Sequence, residues 1–145
     1  MFVKNLKETI NLGEKLSQKL NKQSIVLLQG PIGAGKTSFV QGIANGLSIS
    51  EDITSPTFAL SHHYNSGKIP LIHIDLYRLE NLSSAKEFFY HEEEEALQNK
   101  AILVIEWPEL IEPLIKNFWK VEISYAKQYG RYYEIRDPKN LLAFS

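Results

Sequence analysis

Residues 30–37, Gly30-Pro31-Ile32-Gly33-Ala34-Gly35-Lys36-Thr37, constrain this chain more than any other stretch. They fit the spacing G-x-x-x-x-G-K-[ST], which works only between a buried strand and the start of a helix. Both flanks are present: Ser24–Leu28 is a short apolar run, and Thr37–Gly46 has Phe39, Val40 and Ile43 at helical spacing. The glycines let the backbone turn tightly enough for successive N–H groups to point at phosphate oxygens. The helix adds the positive end of its dipole. In such a loop Lys36 reaches the β- and γ-phosphates, and the Thr37 hydroxyl is a candidate Mg²⁺ ligand. Chance would assemble the four fixed positions in under about one chain in a hundred of this size, taking glycine at ~7% of residues. Pro31 supplies no N–H, but at the outer edge of the loop that loss is small.

The remaining pattern predicts what carries this loop. Residues 3–21 place Leu6, Ile10, Gly13, Leu16 and Leu20 at helical spacing, as an amphipathic helix would. Phe58–Tyr64 and Ile69–Leu76 read as strands separated by the turn Asn65-Ser66-Gly67, and 83–98 as a helix ending in an acidic run. Lys100–Glu106 is the strongest strand, stopped by Trp107-Pro108 and followed by a short helix over Glu109–Ile115. Lys120–Ala126 and Arg131–Arg136, around Gln128-Tyr129-Gly130, predict an antiparallel hairpin. Strands alternating with helices predict one α/β domain over residues 1–145. The expected fold is three-layered and P-loop NTPase-like, with a mixed, mostly parallel sheet and a C-terminal antiparallel hairpin.

A phosphate loop of this kind needs a carboxylate near Mg²⁺, usually at the end of an apolar strand. Asp75, after Leu71-Ile72-His73-Ile74, and Glu106, after Ile102-Leu103-Val104-Ile105, both satisfy that condition. Glu106 has the purer apolar approach and would hold Mg²⁺ through a water or orient the attacking water. Asp75 would be the second carboxylate about the metal. Thr54-Ser55-Pro56-Thr57-Phe58 lies where related loops carry a γ-phosphate-sensing switch, although it also reads as a plain proline turn. His62, His63, His73 and His91 lack metal spacing and read as structural or surface residues. Glu92–Glu95 reads as a solvated helix face, and Trp107 as a core aromatic.

Composition narrows the class. The 145 residues carry 16 basic and 17 acidic side chains, net −1, so electrostatic grip on nucleic acid is not expected. Residues 116–145 hold six basic and three acidic side chains, an excess compatible with grazing contact with tRNA but too slight to assign one. No cysteine is present, which removes disulfides and thiolate chemistry and suits a reducing cytosol. Ala101–Ile105 is the longest apolar run, far short of the ~18 residues of a membrane span. The charged N-terminal stretch does not read as a signal peptide, so a cytoplasmic protein is expected. A small-molecule kinase would need a lid and several phosphate-clamping arginines; only Arg78, Arg131 and Arg136 occur. A GTPase would be expected to carry N-K-x-D, but Asn99-Lys100 runs into Ala101-Ile102. A minimal ATPase acting for a partner remains. A nucleotide-gated binding module with incidental hydrolysis is the alternative from another class, and a small P-loop kinase is a third reading.

Four motifs, in order, sharpen this: GPIGAGKTSF, SPTF, HIDLYRL and VIEWPE. Together they resemble the TsaE (YjeE) family of bacterial ATPases over nearly the whole chain. The resemblance implies a cytosolic ATPase required for threonylcarbamoyladenosine modification of tRNA. It implies ATP and Mg²⁺ as ligands, the TsaB–TsaD heterodimer as partner, tRNA reached indirectly through that complex, no membrane, and a monomer when isolated. Turnover would reset the complex. Carried over by position, Gly33, Ala34, Gly35, Lys36, Thr37 and Ser38 match the family's ATP loop. Thr37 and Glu106 match its magnesium positions, and Asp75 the acid of its HxDxYR motif. Ser55, Pro56 and Thr57 match a switch-like segment, and Thr9 an N-terminal threonine near the nucleotide. Two features depart from the pattern. Pro31 stands where members often have an acidic residue, and Ser84–Leu97 matches only loosely.

Overall fold

The computed structural model describes residues 1–56 and 60–139. The order of elements is β1 (Phe2–Val3), α1 (Leu6–Ser17), β2 (Ile25–Gln29), α2 (Lys36–Gly46), β3 (Ser61–Tyr64) and β4 (Leu71–Asp75). Then follow α3 (Leu82–Asn99), β5 (Ile102–Glu106), a 3₁₀ turn (Glu112–Leu114), β6 (Trp119–Tyr125) and β7 (Arg131–Arg136). The seven strands form one sheet in the order β1-β7-β6-β2-β5-β4-β3. Its centre, β6-β2-β5-β4, is parallel, and β7, β1 and β3 add antiparallel edges. Central strands covered on both faces read as continuous apolar runs. β5 accordingly runs Ile-Leu-Val-Ile and is buried throughout.

Two apolar cores lie on opposite faces of the sheet, which gives the three layers expected from the sequence. Leu12, Leu16, Phe39, Val40 and Ile43 from α1 and α2 cover Val26, Leu28 and Val104 on one face. Ala85, Phe89 and Ala96 from α3 cover Leu27, Leu103 and Ile105 on the other. Alternate residues of β2 and β5 are thus divided between the cores, as a period of two requires. No helix among the described residues is long and apolar enough to cross a membrane.

Helix α1 meets α2 across glycines. A Cβ on Gly13 would lie 2.9 Å from Gly42 Cα, and one on Gly42 would collide with the carbonyl oxygen of Ile10. Glycine in a helix interior ordinarily costs ~1 kcal/mol against alanine. Here the methyl would strike backbone that cannot rotate aside, so the sign reverses. Gly42→Ala is expected to lower stability by about 1–3 kcal/mol, the usual cost of overpacking, as read from urea unfolding. Gly46 plays a related part. It is the last residue of α2, not its cap, and a Cβ there would run into Ser17.

Several boundaries differ from expectation. The first helix is shorter than 3–21, because Asn5 caps it and Phe2–Val3 pairs with β7. The segment Glu109–Ile115 contains a 3₁₀ turn with Pro113 inside it, where an α-helix would lose a backbone donor. Thr57 and Phe58, expected in the switch and in the third strand, lie outside the described residues. The strand begins at Ser61.

Candidate functional site

The sheet brings three strand ends together. β2 leads into residues 30–35, and its neighbour β5 ends at Glu106, which lies opposite Leu28. Next to β5, β4 ends at Asp75, directly opposite Glu106. All three are carboxyl ends of parallel strands, where open α/β sheets bind ligands. The loop passes into α2 through Gly35, whose φ of 100° lies in the left-handed region, as does Gly33 at 80°. Asn5 caps α1 and Asn81 caps α3 through side-chain acceptors, whereas α2 has no side-chain cap. No side chain therefore caps its first N–H groups.

A cleft of about 400 Å³ opens beside this loop. Gly33, Gly35, Lys36, Thr37 and Ser38 line it from the loop, and Asp75, Glu106, Tyr77 and Trp107 from the strand ends, with Ser55 from the switch-like segment. Lys36 is buried, donates to Gly30 O at 2.6 Å, and holds its ammonium 4.0 Å from the centroid of Trp107. Burial lowers its pKa, while Glu106, Asp75 and Glu109 act in the opposite direction. Each carboxylate has one oxygen occupied. Asp75 Oδ1 accepts from the Tyr77 N–H at 2.8 Å, and Glu106 Oε2 lies 2.5 Å from His73 Nε2.

Burial also raises the Asp75 pKa above its ordinary 3.8; the Tyr77 N–H opposes this and Glu106 adds to it. The folded chain therefore holds that proton more tightly than the unfolded chain. Stability contributed by protonated Asp75 is lost as pH rises from 3.8 through the raised folded value. Asp75→Asn keeps an acceptor for Tyr77 and removes the buried charge. The expected outcome is a higher melting temperature for the free protein at neutral pH, with a flatter acid-to-neutral stability profile by scanning calorimetry. Removing a counter-charge from Lys36 trims this gain without reversing it, since burial is the largest influence on Asp75 and Lys36 the smallest.

Thr9 does not join this cleft. It is buried on α1, donates to Asn5 O at 3.2 Å, and lines a separate cavity of about 350 Å³ with Gly33, Ala34, Gly35, Ser38 and Arg131. The loop thus has a carboxylate-lined side and an N-terminal side. The β6–β7 hairpin grips it from outside: Tyr125 Oη donates to Ile32 O at 2.7 Å, and the Arg131 guanidinium donates to Gly33 O at 3.3 Å. Ala34 is buried within the loop. Arg78 is exposed in the turn after β4 and is not among the residues lining the cleft.

Two expectations from the sequence, for Trp107 and Glu92, need correction. Trp107 faces the cleft, with its ring 4.8 Å from that of Tyr77, and its φ is 55°. A bulky residue rarely adopts that conformation, and the conformation has no signature in the sequence. His73, expected to be structural or at the surface, is completely buried against Glu106, two residues before Asp75 on the same strand face. Glu92 is buried too, 3.0 Å from His63 on β3, so the acidic run is not wholly solvated and this glutamate is not among the residues lining the cleft.

The donors fit a magnesium-bound nucleotide. Thr37 and the two carboxylates are hard oxygen ligands, and no cluster of three His, Cys, Asp or Glu among the described residues forms an all-protein cage. Mg²⁺ is ordinarily held in just this way, by one or two carboxylates together with phosphate oxygens.

A phosphate loop between a parallel strand and its helix, with two acidic strand ends beside it, defines a P-loop α/β protein. The chain is similar to the crystal structure of Bacillus subtilis YdiB, with a TM-score of 0.74 and 27% identity, covering 92% of this chain and 80% of that one. It is 41% identical to a tRNA threonylcarbamoyladenosine biosynthesis protein TsaE of Nostoc sp., covering 93% of this chain and 83% of that protein. A Synechocystis protein of the same name is 44% identical, covering 78% and 72%. Residues 3–133 match the family model described as threonylcarbamoyl adenosine biosynthesis protein TsaE. The chain belongs to the TsaE family.

Proposed function

We propose that this protein is an Mg²⁺-dependent ATPase serving tRNA threonylcarbamoyladenosine biosynthesis, and that its turnover drives or resets the TsaB–TsaD transferase complex. The observation that carries the reading is the convergence of Lys36, Thr37, Asp75 and Glu106 on one cleft, in a chain of this family. The backbone N–H groups of residues 33–37 and the Lys36 ammonium hold the phosphates and favour the charge that develops as the γ-phosphoryl leaves. Thr37 Oγ1 and the free oxygens of Asp75 and Glu106 would hold Mg²⁺, which when bound neutralises phosphate charge. Glu106 would hold the ion through a water, and its free oxygen would orient the attacking water and take its proton as the bond to the γ-phosphorus forms and the bond to the ADP oxygen breaks. The cavity lined by Thr9 would take the nucleoside end.

Hydrolysis by the isolated chain is slow in this reading, because no arginine among the described residues lines the carboxylate-side cleft to meet the transition state. The partner complex supplies what is missing. Phosphate release should be weak alone and rise on adding TsaB–TsaD. Undetectable ATP binding, or release unaffected by the partners, would overturn the proposal.

A further inference from the structure

We propose that His73 is a positioning residue for Glu106, fixing which carboxylate oxygen faces the cleft. The proposal rests on the reading of Glu106 given above and extends it to a residue outside the ATP-loop motif.

The geometry begins in the sheet. His73 stands opposite Val104 and Asp75 opposite Glu106, so His73, Asp75, Val104 and Glu106 share one face of two adjacent parallel strands. The imidazole is fully buried, at 0% exposure, with Val104 of β5 and His62 of β3 as its cross-strand neighbours. An aliphatic residue would fill that space without the cost of desolvating a polar ring.

The hydrogen bond has only one workable direction. His73 Nδ1 is buried with no partner among the described residues, whereas Nε2 lies 2.5 Å from Glu106 Oε2. A neutral ring protonated at Nδ1 would bury an unpaired donor and turn a lone pair toward the carboxylate. Protonated at Nε2, it donates to Glu106. Glu106 Oε2 is thereby occupied, and Oε1 alone is left for the cleft.

Asp75 is arranged alike, with Oδ1 held by the Tyr77 N–H. Each carboxylate thus has one oxygen tethered and one presented. A glutamate side chain otherwise has rotamer freedom worth up to ~1.5–2 kcal/mol to lose at every encounter. Holding it beforehand pre-organises the site.

Three substitutions separate positioning from packing. In His73→Gln the new amide nitrogen reaches the place of Nε2, whereas the shorter amide of His73→Asn reaches only that of Nδ1. His73→Leu and His73→Asn should lower kcat and weaken Mg²⁺ binding in the presence of ADP by about 10–100-fold, the range found when a partner of a metal-holding side chain is removed. ATP affinity measured without divalent ion should stay within about twofold, because that affinity resides in the loop. His73→Gln should recover most of both losses. In the wild-type protein without nucleotide, imidazole nitrogen-15 shifts should show His73 protonated at Nε2.

Full activity and normal Mg²⁺ binding in His73→Leu would overturn the inference. So would equal impairment of His73→Gln and His73→Asn, or a ring protonated at Nδ1. An inactive wild-type protein that still shows the Nε2–H ring and weakened Mg²⁺ binding in His73→Leu would instead count against the proposed ATPase alone.

Discussion

Replacing Lys36 by alanine is expected to weaken ATP binding by about 100-fold in calorimetry, with the protein still folded. The loss amounts to ~2.7 kcal/mol, within the range of one or two charge-assisted hydrogen bonds to phosphate. Lys36 is held before any ligand arrives. Its stem is buried, its ammonium is bonded to Gly30 O, and the Trp107 ring lies over it. Little side-chain entropy remains to be lost on binding, so most of the electrostatic gain reaches the affinity. Arg131 donates to the Gly33 carbonyl and does not line the carboxylate-side cleft, so among the described residues no second cation there replaces Lys36. Unchanged affinity in Lys36→Ala would place the nucleotide elsewhere.

Glu106→Ala should leave ATP affinity within several-fold of wild type and lower turnover by about 10²–10⁴, the range for loss of a positioned general base. Phosphates are held by the loop, so binding survives. The carboxylate acts on water, so the rate does not. Glu106→Gln separates charge from shape: it retains a hydrogen-bond partner for His73 but cannot accept the water's proton. It should therefore be nearly as slow as alanine while melting close to wild type, and a Glu106→Gln protein with full turnover would remove this residue from the chemistry.

Much of the site was legible in the sequence because its parts are local. The loop is contiguous, and an acidic residue ending an apolar run marks the ligand-binding edge of a parallel sheet wherever that strand lies. Asp75 and Glu106 could thus be selected without knowing that β4 and β5 are neighbours. Their direct register came only from the fold. The missed features depend on distant partners or on backbone angles. Tyr125 and Arg131 hold carbonyls of Ile32 and Gly33 across separations of 93 and 98 residues. Nothing near Trp107 signals a left-handed backbone. Glu92 reads as solvated in sequence because its partner His63 lies on a strand 29 residues earlier. Period-two alternation already put His73 on the face of Asp75, but its contact with Glu106 came only from the pairing of β4 with β5.

The pair Gly13 and Gly42 shows how fold and site depend on each other. Close approach of α1 to α2 sets the position of Thr9 against Gly35 on the N-terminal side of the loop. A methyl group at that crossing should affect more than stability, because α1 carries one cavity wall and α2 begins at the phosphate loop.

Multiple-turnover tRNA modification by reconstituted TsaB, TsaD and this protein bears most directly on the ATPase proposal. A non-hydrolysable ATP analogue would be substituted only at the step this protein serves. Modification should stop after about one cycle per complex with the analogue and continue with ATP. Sustained turnover with the analogue would contradict an ATPase role and leave a nucleotide-gated binding module.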